Sequence, residues 1–407
     1  MSRYALQRSW RLETSAPQRR RAQSGLPAPH AAVPVAPAWG RPASRPYARI
    51  IAAAAADASP AAGSIDESIF EPVEVQPAAA PAPAPRGPDD PPDLPALIRL
   101  LDEHFAAASA ADMDGDPVAE LKAEEAATRL IERGRELGLV RGFGTARQLP
   151  KRLYTIDELK LNKVEPEMLL SPKDASLIGV RNQARIAAAA GLAAAAWNGH
   201  WDTSSILLAL AGGIGVLVAD QVANGGGGEA LLVDSLGRVL VRNYGPRVAY
   251  HEAGHLLVAY LLGLLPRAYT LSSLDAFLRY RALNVQAGTR FCDAGFQAEV
   301  RSGKLKASSL ERFSCVALAG VLTEYLRFGR AEGGLGDVLQ LDTMFRALQF
   351  SQKKADGEVR WAVLNCAALL RRHAALHDQL AAAMVAGASV GQCVLLLEER
   401  LAGVEDI

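Results

Sequence analysis

The chain has 407 residues, and its 44 lysines and arginines balance 44 aspartates and glutamates to a formal net charge of zero, so no strong field points to a nucleic-acid partner and none is expected. Four cysteines, Cys292, Cys315, Cys366 and Cys393, stand far apart without a CxxC pair, which excludes a disulfide framework and a cysteine-rich zinc module. Any metal site must come from the seven histidines and the carboxylates.

Residues 1–51 carry arginines from Arg3 to Arg49 among Ser, Ala and Pro, with Glu13 the only acid. This acid-poor, Arg- and Ser-containing composition without a continuous apolar core is that of an organelle transit peptide. Processing is expected near Ile51 and Ala52. Residues 52–94, with QPAAAPAPAPRGPDDPP at their end, cannot bury enough apolar surface to fold and are expected to be a disordered Ala/Pro linker.

Residues 95–245 form an expected helical accessory region. LPALIRLLDEHFAAA and DPVAELKAEEAATRLIERGRELGLV show helical apolar spacing, the second terminated with help from Gly138 and Gly142. His104 on the first reads as a surface histidine. Thr155 is an expected N-cap, and Ser171 repeats the signal. Two apolar runs follow at 186–197 and 204–219, separated by NGHWDT. Both fall short of the roughly 20 residues of a spanning helix before their flanks are added. A membrane hairpin over 186–219 and a buried soluble helix pair are both open, and Trp197 and Trp201 at the junction favour the membrane. Gly225 to Gly228 read as a flexible connector. No phosphate-binding loop occurs in the sequence.

GPRVAYHEAGHLLVAYLLGLLP is framed as a helix by Pro246 and Pro266. Residues four apart share a helix face, so His251 and His255 can present two imidazole nitrogens to one ion. Glu252, one step round, can reach a water activated by that ion without ligating it. Zinc lowers the pKa of such a water toward about 7, the chemistry of a metallopeptidase. The rest of the helix is apolar, and burying two imidazoles and a carboxylate without partners costs several kcal/mol, roughly, which a cation removes. A third ligand is required. A histidine six residues on is excluded by Leu261, and no glutamate stands some twenty residues downstream. Asp337, before an apolar-periodic helix, reads equally as a helix N-cap, and Asp342 one turn later competes. His373 and His377 are also four apart, but RRHAALHDQ reads as a solvated face.

VAYHEAGHLLVAYLL, then ALAGVLTEYLRFG and GGLGDVLQLD, in that order over about 246–345, resembles the peptidase domain of FtsH-type membrane-anchored zinc proteases. The resemblance implies that Asp337 completes a zinc site with His251 and His255, that Glu252 is the catalytic base, and that Glu324 ends the family's Gly-x-x-x-Glu segment. That family carries an ATPase module, which this sequence lacks. The chain is therefore more similar to shortened chloroplast FtsH-like proteins of plants and algae, which implies a chloroplast setting at the thylakoid or envelope membrane.

The resulting expectation is a mainly α fold. A helical zinc-peptidase domain at 246–407 with a few short strands follows the accessory region and its candidate membrane hairpin. Helices are expected at 246–264, 308–328, 337–350, 358–385 and 389–402, with strand character in AYTLSS and NVQAGTRF that can bind an extended substrate by β-addition. The expected function is a zinc metalloendopeptidase acting on a protein or peptide substrate without its own ATPase, alone, as a homo-oligomer or beside an ATPase-bearing protease partner. The alternative is a non-catalytic scaffold or assembly partner of a membrane protease complex.

Overall fold

The computed structural model describes residues 85–407, apart from 89, 170, 171, 173, 174, 284–286, 405 and 406. The segment expected to be a transit peptide, most of the expected linker and the Ser171 cap signal lie outside the described residues. Those described are mainly helical, with fifteen helices and two short strands.

Helix α1 (Leu94–Asp114) starts where the Asp93 side chain accepts from Ala96 N and stops at Gly115, φ 70°. Asp116 then caps α2 (Pro117–Glu136), which packs back along α1. Gly138, φ 73°, follows that helix as expected. Gly142 does a different job: its N–H donates to the Glu398 carboxylate, and a Cβ there would lie 2.4 Å from Leu401. Thr155 caps α3 (Ile156–Leu161) in a reciprocal box with Glu158, and α4 (Pro166–Leu169) follows.

The two apolar runs form α5 (Ala175–Asn198) and α6 (Thr203–Asn224). None of the residues of α6 is buried. The glycines after it are a tight turn and not a flexible connector. Gly225 and Gly226 adopt φ of 63° and 80°, Gly227 and Gly228 begin α7 (Gly227–Leu240), and the Asp220 carboxylate accepts from Gly228 N and Glu229 N at 2.9 and 3.0 Å. That carboxylate satisfies donors which a helix start otherwise leaves open.

Helix α8 (Tyr244–Leu261) carries HEAGH and is buried from Ala249 to Leu261 except at Tyr250. Its wall is built by α11 (Ala307–Phe328), α13 (Gln352–Arg372) and α14 (Ala374–Val385), while α12 (Leu335–Ala347) packs on α11 and α15 (Val390–Leu401) on α1. The helix expected at 358–385 is two helices meeting at buried His373. Strand β1 (Pro266–Thr270) pairs antiparallel with β2 (Gly288–Phe291), Tyr269 opposite Thr289. The short helices α9 (Ser273–Tyr280) and α10 (Ala294–Arg301) flank β2 in sequence. One core runs from Leu97 on α1 to Leu401 on α15 and includes Tyr260 and Trp361. The buried Tyr260 hydroxyl donates to Glu398 at 2.5 Å, so that polar atom at its centre is partnered.

Candidate functional site

The position of α8 against α11 is set by two glycines. A Cβ at Gly254, inside HEAGH, would lie 2.2 Å from Thr323 Oγ1, and one at Gly320 would lie 2.2 Å from His251 Nε2. Without side chains at these points the two helices cross closely, and the His251 ring fills the space above Gly320. Gly334, φ 80°, closes the loop before α12, where a Cβ would meet Val321 at 2.3 Å and His251 Cε1 at 3.0 Å. Sequence reasoning missed the roles of Gly254 and Gly320. The signal was available as small residues placed between apolar ones on two helices that both carry site groups.

His251 and His255 project together, with ring centroids 4.8 Å apart and Nε2 atoms 3.0 Å apart. Asp337 Oδ2 lies 3.2 Å from His251 Nε2 and 3.5 Å from His255 Nε2. The outer nitrogens are committed elsewhere: His251 Nδ1 to Glu324 Oε1 and His255 Nδ1 to the Val316 carbonyl, each at 2.8 Å. A carbonyl can only accept, so His255 donates from Nδ1. Glu324 is held ionised, so His251 does the same. Both Nε2 lone pairs then face each other and a carboxylate, a set that only a proton or a cation reconciles. Carboxylate and carbonyl partners of this kind orient histidine ligands in metal sites.

The surrounding charges agree. Burial works against charging His251, but Asp337 and Glu324 outweigh it and raise its pKa well above the ordinary value. Burial likewise opposes ionisation of Asp337, and the two imidazoles overcome it, holding that carboxyl below its usual range. Glu324 is lowered despite burial by its bonds from His251, Glu332 N and Arg247. Arg247 Nη1 reaches Glu324 Oε2 at 3.0 Å, and the backbone N–H groups of Glu332 and Gly333 donate to the same carboxylate. Glu252 is not drawn into the cluster. It is buried, its pKa is raised by that burial, and Thr289 Oγ1 on β2 donates to its Oε2 at 2.8 Å. No local pattern in the sequence announced Thr289 or the Val316 carbonyl, because both reach the site through long-range packing.

The open alternatives are separated by geometry. Gly334 stands at the N-cap of α12 and no side chain caps that helix; Asp337 is in its first turn with the carboxylate turned to the imidazoles. Asp342 is paired with Arg346 Nε at 2.8 Å on the same helix. Among the described residues, His251, His255 and Asp337 are the one group of three whose ligand atoms all lie within 4.8 Å of one another. His373 and His377 do not form a solvated face. Both are buried, and His377 Nε2 meets the Tyr250 carbonyl at 3.0 Å, so this end of α14 packs against α8. His104 is half-buried on α1.

A cleft of about 1280 Å³ reaches the three groups and Glu252, walled by Thr128 of α2, Arg181 of α5, Val233 of α7, Gly288 of β2 and Phe313 of α11. No protein-family model, no curated protein and no solved structure matches the chain.

Proposed function

We propose that this chain is a zinc-dependent metalloendopeptidase of the kind its HEAGH and GGLGD segments resemble, the peptidase part of FtsH-type proteases. The observation that carries the reading is the convergence of His251 Nε2, His255 Nε2 and Asp337 Oδ2, with both Nδ1 hydrogens held by Glu324 and Val316. Two neutral imidazoles and one carboxylate form a donor set suited to zinc, which these three residues would hold.

A zinc ion held by these three residues supplies a Lewis acid that polarises a carbonyl and acidifies water. Glu252 has the position and the basicity for the rest. Its buried carboxylate, with Oε2 held by Thr289, takes a proton from the attacking water and passes it to the leaving amine. Glu324 and Arg247 fix the orientation of His251 and keep its Nε2 toward the site. The arginine- and serine-containing, acid-poor residues 1–51 support import into an organelle, and the resemblance favours the chloroplast.

Metal analysis of the purified chain together with digestion of a flexible, casein-type substrate tests the reading. One equivalent of zinc and ATP-independent cleavage are expected, and cleavage lost with chelator and regained with zinc. Absence of bound zinc after purification and reconstitution would remove this function.

A further inference from the structure

Strand β2 is four residues long and, among the described residues, pairs with β1 alone. A two-stranded sheet is marginal in water by itself, so what packs on this one decides where it lies. The ladder runs from Thr270 opposite Gly288 to Cys292 N, which donates to Leu265 O at 2.8 Å. It joins the two strands only to each other. Yet Thr289 needs close placement, because its Oγ1 lies 2.8 Å from Glu252 Oε2 and 3.4 Å from the Glu252 carbonyl. Something outside the sheet has to supply that placement.

The α1–α2 hairpin holds each strand by an arginine. On β1, Arg267 Nη2 donates to Glu120 Oε1 at 2.5 Å, and its Nε lies 3.1 Å from Glu124 Oε1, both acids on α2. On β2, Arg290 Nη1 donates to Asp112 Oδ2 in the last turn of α1, and its guanidinium lies 3.7 Å from the centre of the Tyr280 ring of α9. Arg267 and Arg290 are 6 and 8 % exposed, so neither pair is of the solvent-screened surface kind that contributes little. Successive residues of a strand point to opposite faces. Thr289 turns to α8 and Arg290 to α1, which puts the grip of the hairpin one residue from the bond to Glu252. A buried ion pair is weak stabilisation compared with apolar packing of the same volume, whereas a guanidinium set between a carboxylate and a ring has a defined position. The local sequence does not favour Asp112 either: a carboxylate in the last turn faces the negative end of the helix dipole. Arg290 is the group that answers it.

We propose that the α1–α2 hairpin is a clamp on the strand beside the site, and that Asp112, acting through Arg290, is a positioning residue that sets Thr289 and with it the Glu252 carboxylate. The effect on turnover rests on the peptidase reading; the clamp itself does not. The hairpin also walls the cleft through Thr128, and its hold on Arg267 fixes that wall against the same sheet. With Asp112 released, β2 keeps its ladder to β1 but loses its reference to α1, and Thr289 moves relative to α8.

The full chain with zinc bound and a flexible fluorogenic peptide test the proposal. Asp112→Asn is expected to keep about one equivalent of zinc and a KM within about twofold of wild type, and to lower kcat by about tenfold or more, since a misplacement of about 1 Å costs roughly 100-fold. Thr289→Val is expected to lower kcat by a similar factor. The double variant Asp112→Asn/Thr289→Val is expected to fall no further than the lower of the two, because both changes reach Glu252 through one hydrogen bond. Losses that multiply, or a wild-type kcat in Asp112→Asn, overturn the assignment. So does an equal loss in Asp114→Asn, whose side chain is exposed two residues on. Asp112→Asn leaves the Arg290 charge buried, so Asp112→Asn/Arg290→Gln, which leaves none, repeats the test in a chain without that burden and is expected to show the same loss of kcat. Amide exchange across 288–291 is a readout that needs no cleavage, and it is expected to accelerate by about tenfold or more in Asp112→Asn. Unchanged exchange overturns the clamp. A wild type that binds zinc and cuts nothing removes the peptidase reading and the effect on turnover with it, and the exchange rates then decide the clamp alone.

Discussion

Helix α8 buries twelve of its 18 residues, whereas α6, four residues longer and uncharged between Asp202 and Asp220, buries none of its 22. Both are apolar, so hydrophobicity alone does not decide which helix the protein covers. The difference lies in the small and polar residues. In α8, Gly254 sits against Thr323, and every polar group of HEAGH has a partner on another element. In α6, a Cβ built at Gly212, Gly213 or Gly215 meets nothing within 4 Å. A buried helix is recognised by glycines that are filled by neighbours and by polar atoms that are answered. Helix α6 has no glycine filled in this way and no buried residue.

The most forceful way to break this comparison is at the polar atoms of α8. Glu252→Gln is expected to retain about one equivalent of zinc and to lose cleavage by on the order of 10²–10⁴, the usual contribution of a positioned base. His251→Ala, His255→Ala and Asp337→Ala are expected to lose metal and activity together, and Asp342→Ala to lose neither, because its carboxylate is engaged by Arg346. Zinc content beside a casein digestion separates the groups. Full activity in Glu252→Gln would overturn the assignment of Glu252 as the base, and no cleavage by the wild type with zinc bound would leave the scaffold alternative in its place.

Apolar truncation gives the next largest contrast. Leu256 on α8 is fully buried, and Leu256→Ala is expected to destabilise the fold by about 2–5 kcal/mol. Leu208 on α6 is 75 % exposed, and Leu208→Ala is expected to change stability in detergent by less than about 0.5 kcal/mol while weakening retention of the protein by membranes. Chemical unfolding of the two variants reads the first effect, and flotation on a lipid gradient the second.

A titration sharpens the contrast at the sheet. Glu124 on α2 is buried beside Arg267 of β1, with Glu120 and Asp293 also facing it, and burial above all raises its pKa from 4.5 to about 7. Arg267 Nε lies 3.1 Å from Glu124 Oε1 but makes no hydrogen bond from that nitrogen, so the pair offsets only part of the desolvation. A carboxyl that holds its proton more tightly when folded stabilises the fold below pH 4.5 and loses that contribution as pH rises toward 7. The loss is roughly 3 kcal/mol at most. Glu124→Gln is expected to flatten the stability profile over that window, and melting temperatures at half-unit pH steps follow it.

How much of this was legible follows from the range of each signal. The HEAGH helix, its two histidines and the acid at Asp337 are local patterns, and it is the direction of the Asp337 side chain on α12, toward the imidazoles, that sets it apart from Asp342. The break at His373 left no trace, because α13 and α14 bury their faces in the same core and the apolar period runs on through the joint. For the same reason RRHAALHDQ looked solvated: its charged residues face out on either side of two histidines that face in. Strand character at Thr289 was readable, but its bond to Glu252 joins positions 37 residues apart and exists only once β2 is laid against α8.

The gentlest test uses one substitution in two helices. Gly254→Ala places a methyl 2.2 Å from Thr323 Oγ1, 3.1 Å from Thr323 Cβ and 3.3 Å from the Ala319 carbonyl. Rotating the threonine relieves only the first contact, so α8 and α11 must separate, at about 1–3 kcal/mol and with some loss of zinc affinity as His251 shifts over Gly320. Gly213→Ala in α6 has open space around the new methyl and replaces the residue that is least favourable in a helix after proline. It is expected to stabilise α6 by about 0.5–1 kcal/mol, which slows amide exchange across residues 203–224 by roughly two- to fivefold in detergent. If α6 were covered by another part of the protein, the added methyl would be destabilising and exchange would accelerate. Opposite signs from the same chemical change would establish that α8 is covered by the rest of the protein and α6 is not.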